Sequence, residues 1–237
     1  MKRGPIVFHY GCMASEKSLA LIRDYRGARS VGEVCLCYVH RESKDGNSIV
    51  SRFMAGEGDD SPKEIKIPAV GVKSSEEIYS DVAEHIRQTY ELARTRGIVI
   101  ARRRLNVIID EINLLDEGIK GVIEGLSHNG VRVVCSGLNL DYRGEPFPLK
   151  GDHHITVPEI MGISTETHLH YARCAYLLDD GAACGANATR SQRFRDVEHT
   201  QPSHYDDPLI EVEPKKYVPV CEEHHIVPGK PSHRRII

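Results

Sequence analysis

Short apolar runs alternate along the chain with amphipathic stretches. Ile6-Val7-Phe8 has no polar break and predicts a buried strand over residues 5–8. Leu19-Ala20-Leu21-Ile22 follows at helical density and predicts a helix over 15–27, ending near Gly27. Residues 31–39 predict the next strand. Residues 41–62 are polar, carry Gly46, Gly56, Gly58 and Pro62, and read as a loop whose Arg41, Lys44 and Arg52 are solvated. An apolar segment occupies 65–72. Ser74-Ser75-Glu76-Glu77 then has the capping and acidic residues of a helix start. Ile78, Val82, Ile86 and Tyr90 continue that helix to about Arg96, and Arg102-Arg103-Arg104 is a solvated basic run. Residues 105–111 are a β-branched run that ends in Asp110-Glu111. A helix is predicted over 114–129 from Leu115, Ile119, Val122, Ile123 and Leu126, and a strand over 131–136.

This alternation predicts an α/β fold with a parallel sheet and flanking helices. The 237 residues are 40% hydrophobic and 27% charged, as in an ordinary globular chain. A net charge of −3 offers no basic field for a nucleic acid polymer. No apolar run reaches the ~18 residues that a membrane span needs. Met1-Lys2-Arg3-Gly4-Pro5 leads directly into the first strand, so no secretory leader is expected. An odd set of seven cysteines does not read as a disulfide framework, and a reducing cytoplasm is the expected setting. Cys35, Cys37 and Cys135 fall in strand runs and read as core residues. Cys174, Cys184 and Cys221 lie in the last third.

The candidate chemistry starts at Gly11-Cys12-Met13-Ala14-Ser15-Glu16-Lys17-Ser18. Strand, tight loop and helix are the context of a phosphate-binding loop, in which backbone N–H groups cradle phosphates, a Lys reaches the terminal phosphates and a hydroxyl holds Mg²⁺. Gly11, Lys17 and Ser18 fit the pattern G-x-x-x-x-G-K-[ST]; Glu16 stands in place of the second glycine. A plain helix N-terminus capped by Ser15 is the alternative reading. Asp110 and Glu111 sit at the carboxyl end of a predicted inner strand, where ligands of parallel sheets gather, or they cap the next helix. The loop 137–148 carries Asp141, Tyr142, Arg143 and Phe147, suited to a planar ligand or to the core. Asp179-Asp180-Gly181 predicts a hairpin turn between Cys174 and Cys184. With the C-x₂-H pair Cys221 and His224, these cysteines offer either a tetrahedral zinc site or free thiols near surface histidines.

Taken together in chain order, these anchors resemble the thymidine kinases of the zinc-containing, tetrameric class, from residue 5 to about 231. Gly137-Leu138 through Asp141-Tyr142-Arg143-Gly144-Glu145-Pro146-Phe147 resembles the family's Gly-Leu…Asp-Phe-Arg-Gly…Pro-Phe segment. Cys184-Gly185 with Ala188-Thr189-Arg190-Ser191-Gln192-Arg193 resembles its zinc-to-lasso segment, and Tyr217…Cys221…His224-His225 its C-terminal signature. The resemblance implies a P-loop NTPase-like kinase domain over 1–168 and a small zinc-bearing lasso domain over 169–237. It implies transfer of the γ-phosphate of ATP to the 5′-hydroxyl of thymidine, with deoxyuridine as a second substrate, in a homotetramer that serves pyrimidine salvage. Glu111 is the implied base. Gly11, Ser15, Lys17, Ser18 and Asp110 are the implied ATP and Mg²⁺ contacts. Met13, Leu114, Leu138, Tyr142, Phe147, Ser191 and Tyr217 would surround the nucleoside, and Cys174, Cys184, Cys221 and His224 would bind structural Zn²⁺. Glu16, and Leu114 where the family has Phe, depart from the pattern. Glu16 motivates the alternative, a catalytically silent homologue that binds nucleoside or regulates.

Overall fold

The computed structural model describes residues 2–43, 46–54, 62–96, 104–210 and 213–231; Lys44 and most of the basic run at 102–104 lie outside them. Strand β1 (Ile6–Gly11) turns tightly into helix α1 (Lys17–Ser30) and then β2 (Val34–His40). A hairpin follows, β3 (Ser48–Met54) with β4 (Pro62–Pro68), and then the short β5 (Val70–Val72) and the long α2 (Ser75–Arg96). Next come β6 (Leu105–Ile109), a 3₁₀ turn (Ile112–Leu114), α3 (Ile119–His128), β7 (Arg132–Gly137), α4 (Val157–Ile163) and β8 (Glu166–His170). The main sheet has six strands in the order β5-β2-β6-β7-β1-β8, and each pairing is parallel. Among the described residues no helix is long and apolar enough to cross a membrane.

The unbroken apolar strands have a direct cause: both faces of the sheet are covered, so both side-chain parities are buried. Val107, Ile109, Val133 and Cys135 pack with Ile78 and Val82 of α2, Ile119 and Ile123 of α3, and Val157 and Ile160 of α4. Val7, Ile108 and Val134 face the other way, onto Leu21 and Ile22 of α1. Ile49 of β3 and Ile67 of β4 join that second cluster. A hairpin, not a helix, therefore completes the cover beside α1.

That hairpin corrects the loop expected over 41–62. β3 and β4 pair antiparallel, with Ile49 opposite Ile67 and Arg52 opposite Glu64. A strand whose inward positions are Ile49 and Ser51 carries little apolar periodicity, and the glycines around it read as loop. The apolar segment at 65–72 is split: β4 belongs to the hairpin and β5 to the main sheet. α1 runs past Gly27, and the left-handed residue after it is Gly32, with φ 77°. The helix expected from 114 starts at Ile119. The Asp116 carboxylate accepts from the N–H of Gly118 at 3.0 Å and from the N–H of Ser75 at 2.7 Å. It thereby bends the chain before α3 and caps α2.

The C-terminal part is built from short antiparallel pairs. β9 (Ala172–Arg173) pairs with β10 (Asn187–Ala188), and β11 (Arg190–Arg193) with β12 (Tyr217–Val220). The predicted turn at Asp179-Asp180-Gly181 is present. Leu177 bridges Ala183 across it, and Gly181 has φ 81°.

If the hairpin is part of the core, Ile49→Ala lowers unfolding stability by about 2–5 kcal/mol, as for other buried aliphatic truncations. A urea titration measures this; a change within about 0.5 kcal/mol, typical of surface sites, would return the segment to a surface loop.

Candidate active site and metal cluster

β1 delivers the chain to Gly11 at φ 149°, where an added Cβ would lie 2.2 Å from the carbonyl oxygen of His170 on β8. The loop then passes through two left-handed non-glycine residues, Ala14 (φ 59°) and Glu16 (φ 63°). Glu16 is the N-cap of α1 and makes no side-chain cap bond. Ser15 is not the cap: it is buried, and its Oγ accepts from Lys17 Nζ at 3.3 Å. The first turn of α1 thus lacks a side-chain cap where it meets the cavity, the arrangement that favours an anion. Lys17 Nζ also donates to the Cys12 carbonyl at 2.6 Å. Burial pushes the Lys17 ammonium below the ordinary lysine range, against the opposing pull of Cys12, Asp110 and Glu111.

The carboxylates arrive from β6. Asp110 is buried and accepts from Ser18 Oγ at 2.8 Å, from the N–H of Glu111 at 2.9 Å and from Ser136 Oγ. Glu111 takes a left-handed backbone, φ 53°, and lines the cavity next to Lys17. Asn113 Oδ1 accepts from the Leu138 N–H at 3.0 Å and so fixes the start of the 137–148 loop.

These groups line one cavity of about 390 Å³. Around it stand Met13, Ser15, Lys17, Ser18, Asp110, Glu111, Leu114, Leu138, Tyr142, Phe147, Ser191 and Tyr217. Gly11 lies behind the loop and does not line it. One end is thus charged and hydroxyl-rich, and the other is apolar and aromatic, with a volume in the range of small-molecule sites.

Cys174, Cys184, Cys221 and His224 place one ligand atom each within 4.8 Å of one another. The turn at Gly181 explains the long Cys174–Cys184 spacing. The intervening residues form a hairpin in which the Cys184 N–H donates to Tyr176 O and the Gly185 N–H to Cys174 O. A tetrahedral zinc with ~2.3 Å Zn–S bonds needs sulfurs about 3.8 Å apart, so the cluster fits the ion. Burial works to raise the Cys174 thiol, but backbone N–H groups of Cys221 and Tyr176 and the neighbouring His224 and Cys221 side chains bring it to about 7. Tyr176 stacks on His224 at 4.0 Å and steadies the ring.

A sequence model described as thymidine kinase matches residues 4–225. The chain belongs to the thymidine kinase family. The thymidine kinase of Mycoplasmoides gallisepticum is 32% identical over 171 residues, 69% of this chain and 67% of that one. Among solved structures, a genome packaging NTPase from Sulfolobus turreted icosahedral virus 2, in complex with ATP-gammaS, covers 76% of this chain and 79% of its own. At 14% identity and a TM-score of 0.37, that likeness carries no argument.

In this kinase several residues unmarked by sequence reasoning shape the cavity. Val50, Ser51 and Arg52 of β3 form one wall, so Arg52 is not merely a solvated loop residue. Arg193 is 1% exposed, and its guanidinium lies 3.5 Å from the centre of the Tyr142 ring. It donates to Ser203 Oγ at 3.0 Å and to the Pro208 carbonyl at 2.6 Å, as a buried cation must. The Tyr142 hydroxyl lies 2.9 and 2.8 Å from the carbonyl oxygens of His204 and Asp207. Arg193 and Tyr142 together hold the 194–210 segment against the 137–148 loop. Arg193 stood in the sequence only as the last residue of the Ala188–Arg193 motif, with no role attached.

A second network lies under the phosphate loop. His9 Nε2 is 3.1 Å from Asp24, whose other oxygen meets Arg132 at 2.5 Å, and His9 Nδ1 is 2.9 Å from His170 Nε2. Burial, reinforced by the charges of His9 and Lys17, holds His170 down to about 4. Between pH 6.5 and 4 the unfolded chain therefore binds a proton there that the folded chain does not. The stability from His170 is complete above about pH 6.5 and is lost as pH falls towards 4, and buried His40 and half-buried His225 act with the same sign. Urea midpoints measured across pH 7 to 4 should show His170→Gln flattening this slope; an unchanged slope refutes the assignment.

If the cluster binds zinc, the purified protein carries about one zinc per chain. A strong chelator then lowers its melting temperature, and Cys221→Ser abolishes both the zinc and the chelator effect. A metal-free protein with an unaltered melting temperature would leave the cysteines as free thiols.

Proposed function

We propose that this chain transfers the γ-phosphate of ATP to the 5′-hydroxyl of thymidine, giving dTMP and ADP, with deoxyuridine as a second substrate. The observation that carries the reading is the meeting of Lys17, Asp110 and Glu111 with Met13, Leu138, Tyr142 and Phe147 around one cavity. In this reading the Glu111 carboxylate accepts the 5′-hydroxyl proton as O5′ attacks the γ-phosphorus. The bond to the β-phosphate oxygen breaks, and ADP leaves with its electron pair. Lys17 and the backbone N–H groups of the loop neutralise and orient the phosphates, which is most of what phosphoryl transfer asks of a protein. Ser18 Oγ and Asp110 Oδ2 are 2.8 Å apart, close to the ~3 Å spacing of adjacent ligands on an octahedral ion with ~2.1 Å bonds. These two residues would hold Mg²⁺, which shields the phosphate charge.

The apolar end receives the base, with Leu114 in its wall, and Ser191 and Tyr217 line the lasso side. The N–H of Met13 donates to Ser191 Oγ at 3.0 Å, so the lasso segment is already fastened to the phosphate loop. Residues 1–168 serve as the nucleotide-binding domain and 169–237 as the zinc and lasso domain, in a cytoplasmic homotetramer that supplies dTMP for DNA synthesis. The rival, a silent homologue, rests on Glu16. Its left-handed backbone preserves the turn that a glycine would make, at a cost of roughly 1–2 kcal/mol, and this favours the active reading.

Purified protein with Mg-ATP and thymidine should form dTMP and ADP one for one. Glu111→Gln should lower kcat by roughly 10²–10⁴, the usual size of general base catalysis, with thymidine binding retained. Failure to phosphorylate any pyrimidine nucleoside overturns the kinase reading. Activity gained only in Glu16→Gly would establish the silent homologue.

A further inference from the structure

The charged residues lining the cavity, among those described, are Glu16, Lys17, Arg52, Asp110 and Glu111. Acids outnumber cations before any triphosphate enters. Glu16 places its carboxylate in the loop that has to receive phosphates, where like charges repel strongly. Lys17 is occupied low in the loop, on the Cys12 carbonyl and Ser15. The site therefore needs a second cation, and Arg52 is the one that lines it.

Its placement follows from the hairpin. β3 packs along α1, whose first turn carries Lys17 and Ser18. Ile49 is 1% exposed and pins the strand to the core. Strand parity turns Val50 and Arg52 to the opposite face, and both line the cavity. Arg52 Nε lies 3.4 Å from Glu64 Oε2, its cross-strand partner, with 39% and 41% of the two side chains exposed. Pairs that open to water bind weakly and exchange partners readily. A guanidinium binds a phosphate through two parallel N–H donors, a better match than a single exposed carboxylate contact.

We propose that Arg52 is a binding residue for the phosphate donor. It exchanges Glu64 for the terminal phosphates of a nucleoside triphosphate and offsets the carboxylate of Glu16. This rests on the kinase reading above.

The test combines calorimetric binding of Mg·ATPγS to the full chain with steady-state kinetics, for wild type, Arg52→Gln, Glu64→Gln, Glu16→Gln and Arg52→Gln/Glu16→Gln. Arg52→Gln should weaken ATPγS binding and raise KM for ATP at least tenfold, leaving KM for thymidine within twofold. Glu64→Gln, which removes this ion pair, should tighten ATPγS binding. Glu16→Gln should recover several-fold of the loss in the double variant. Wild-type donor affinity in Arg52→Gln, or equal losses for ATP and thymidine, overturns the role of Arg52 while leaving the kinase intact. A wild type that neither binds ATPγS nor turns over removes the kinase reading itself. If Arg52→Gln does not fold, Glu64→Gln decides: unchanged donor affinity there refutes the exchange.

Discussion

The Asp110 carboxylate sets the geometry of the site. It is 4% exposed and accepts from Ser18 on α1, from Ser136 on β7 and from the backbone of Glu111. A carboxylate so deep needs its donors, so α1 cannot shift against the sheet without stranding it. The phosphate loop inherits that fixity, because α1 begins where the loop ends. The adjoining Glu111 takes the opposite orientation: its left-handed backbone carries the side chain out to the cavity. Two neighbouring acids thus take different places, one binding the scaffold together and the other facing the cavity.

The parts legible in the sequence were those with dense local signals. β1, the loop and α1 are contiguous, and β6 is a β-branched run that cannot face water. The pairing of Cys221 with His224 follows from spacing alone. What escaped depends on contacts between distant segments. β3 reads SIVSRFM, with its apolar residues in adjacent pairs and not in alternation, and its partner β4 lies beyond a glycine-bearing polar stretch, so the hairpin was invisible to periodicity. Arg193 looks like any surface arginine until Tyr142, Ser203 and Pro208 surround it. His9 lies just past the strand expected over 5–8, and only the contacts with Asp24 and His170 give it a network.

The C-terminal segment that carries β10 to β12 is held from two ends by different means. At one end, Cys12 of the phosphate loop sits in the small core of Ala172, Cys174, Ala188, Val220 and Cys221. At the other, Arg193 stacks on Tyr142 while Gln192 exchanges bonds with the backbone of Ile226 at 2.8 and 2.9 Å. The cysteine–histidine cluster, the loop before α1 and the 190–226 segment are therefore in direct physical contact, and a change in one is felt by the others through packing.

Strand order has a consequence for how the protein is made. β1 and β2 are consecutive in the chain, yet β6 and β7 lie between them in the sheet. Emerging from the ribosome, β2 meets its edge partner β5 once residue 72 is out, but β1 has no lateral partner until the chain has grown past Arg132. The first strands must then admit β6 and β7 as a local, helix-linked pair. Such non-local closure is slow and leaves apolar edges open while it waits. The loop before α1 follows β1 and the carboxylates follow β6, two strands that β7 separates in the sheet. The two halves of the site are brought into register only when β7 takes its place between them.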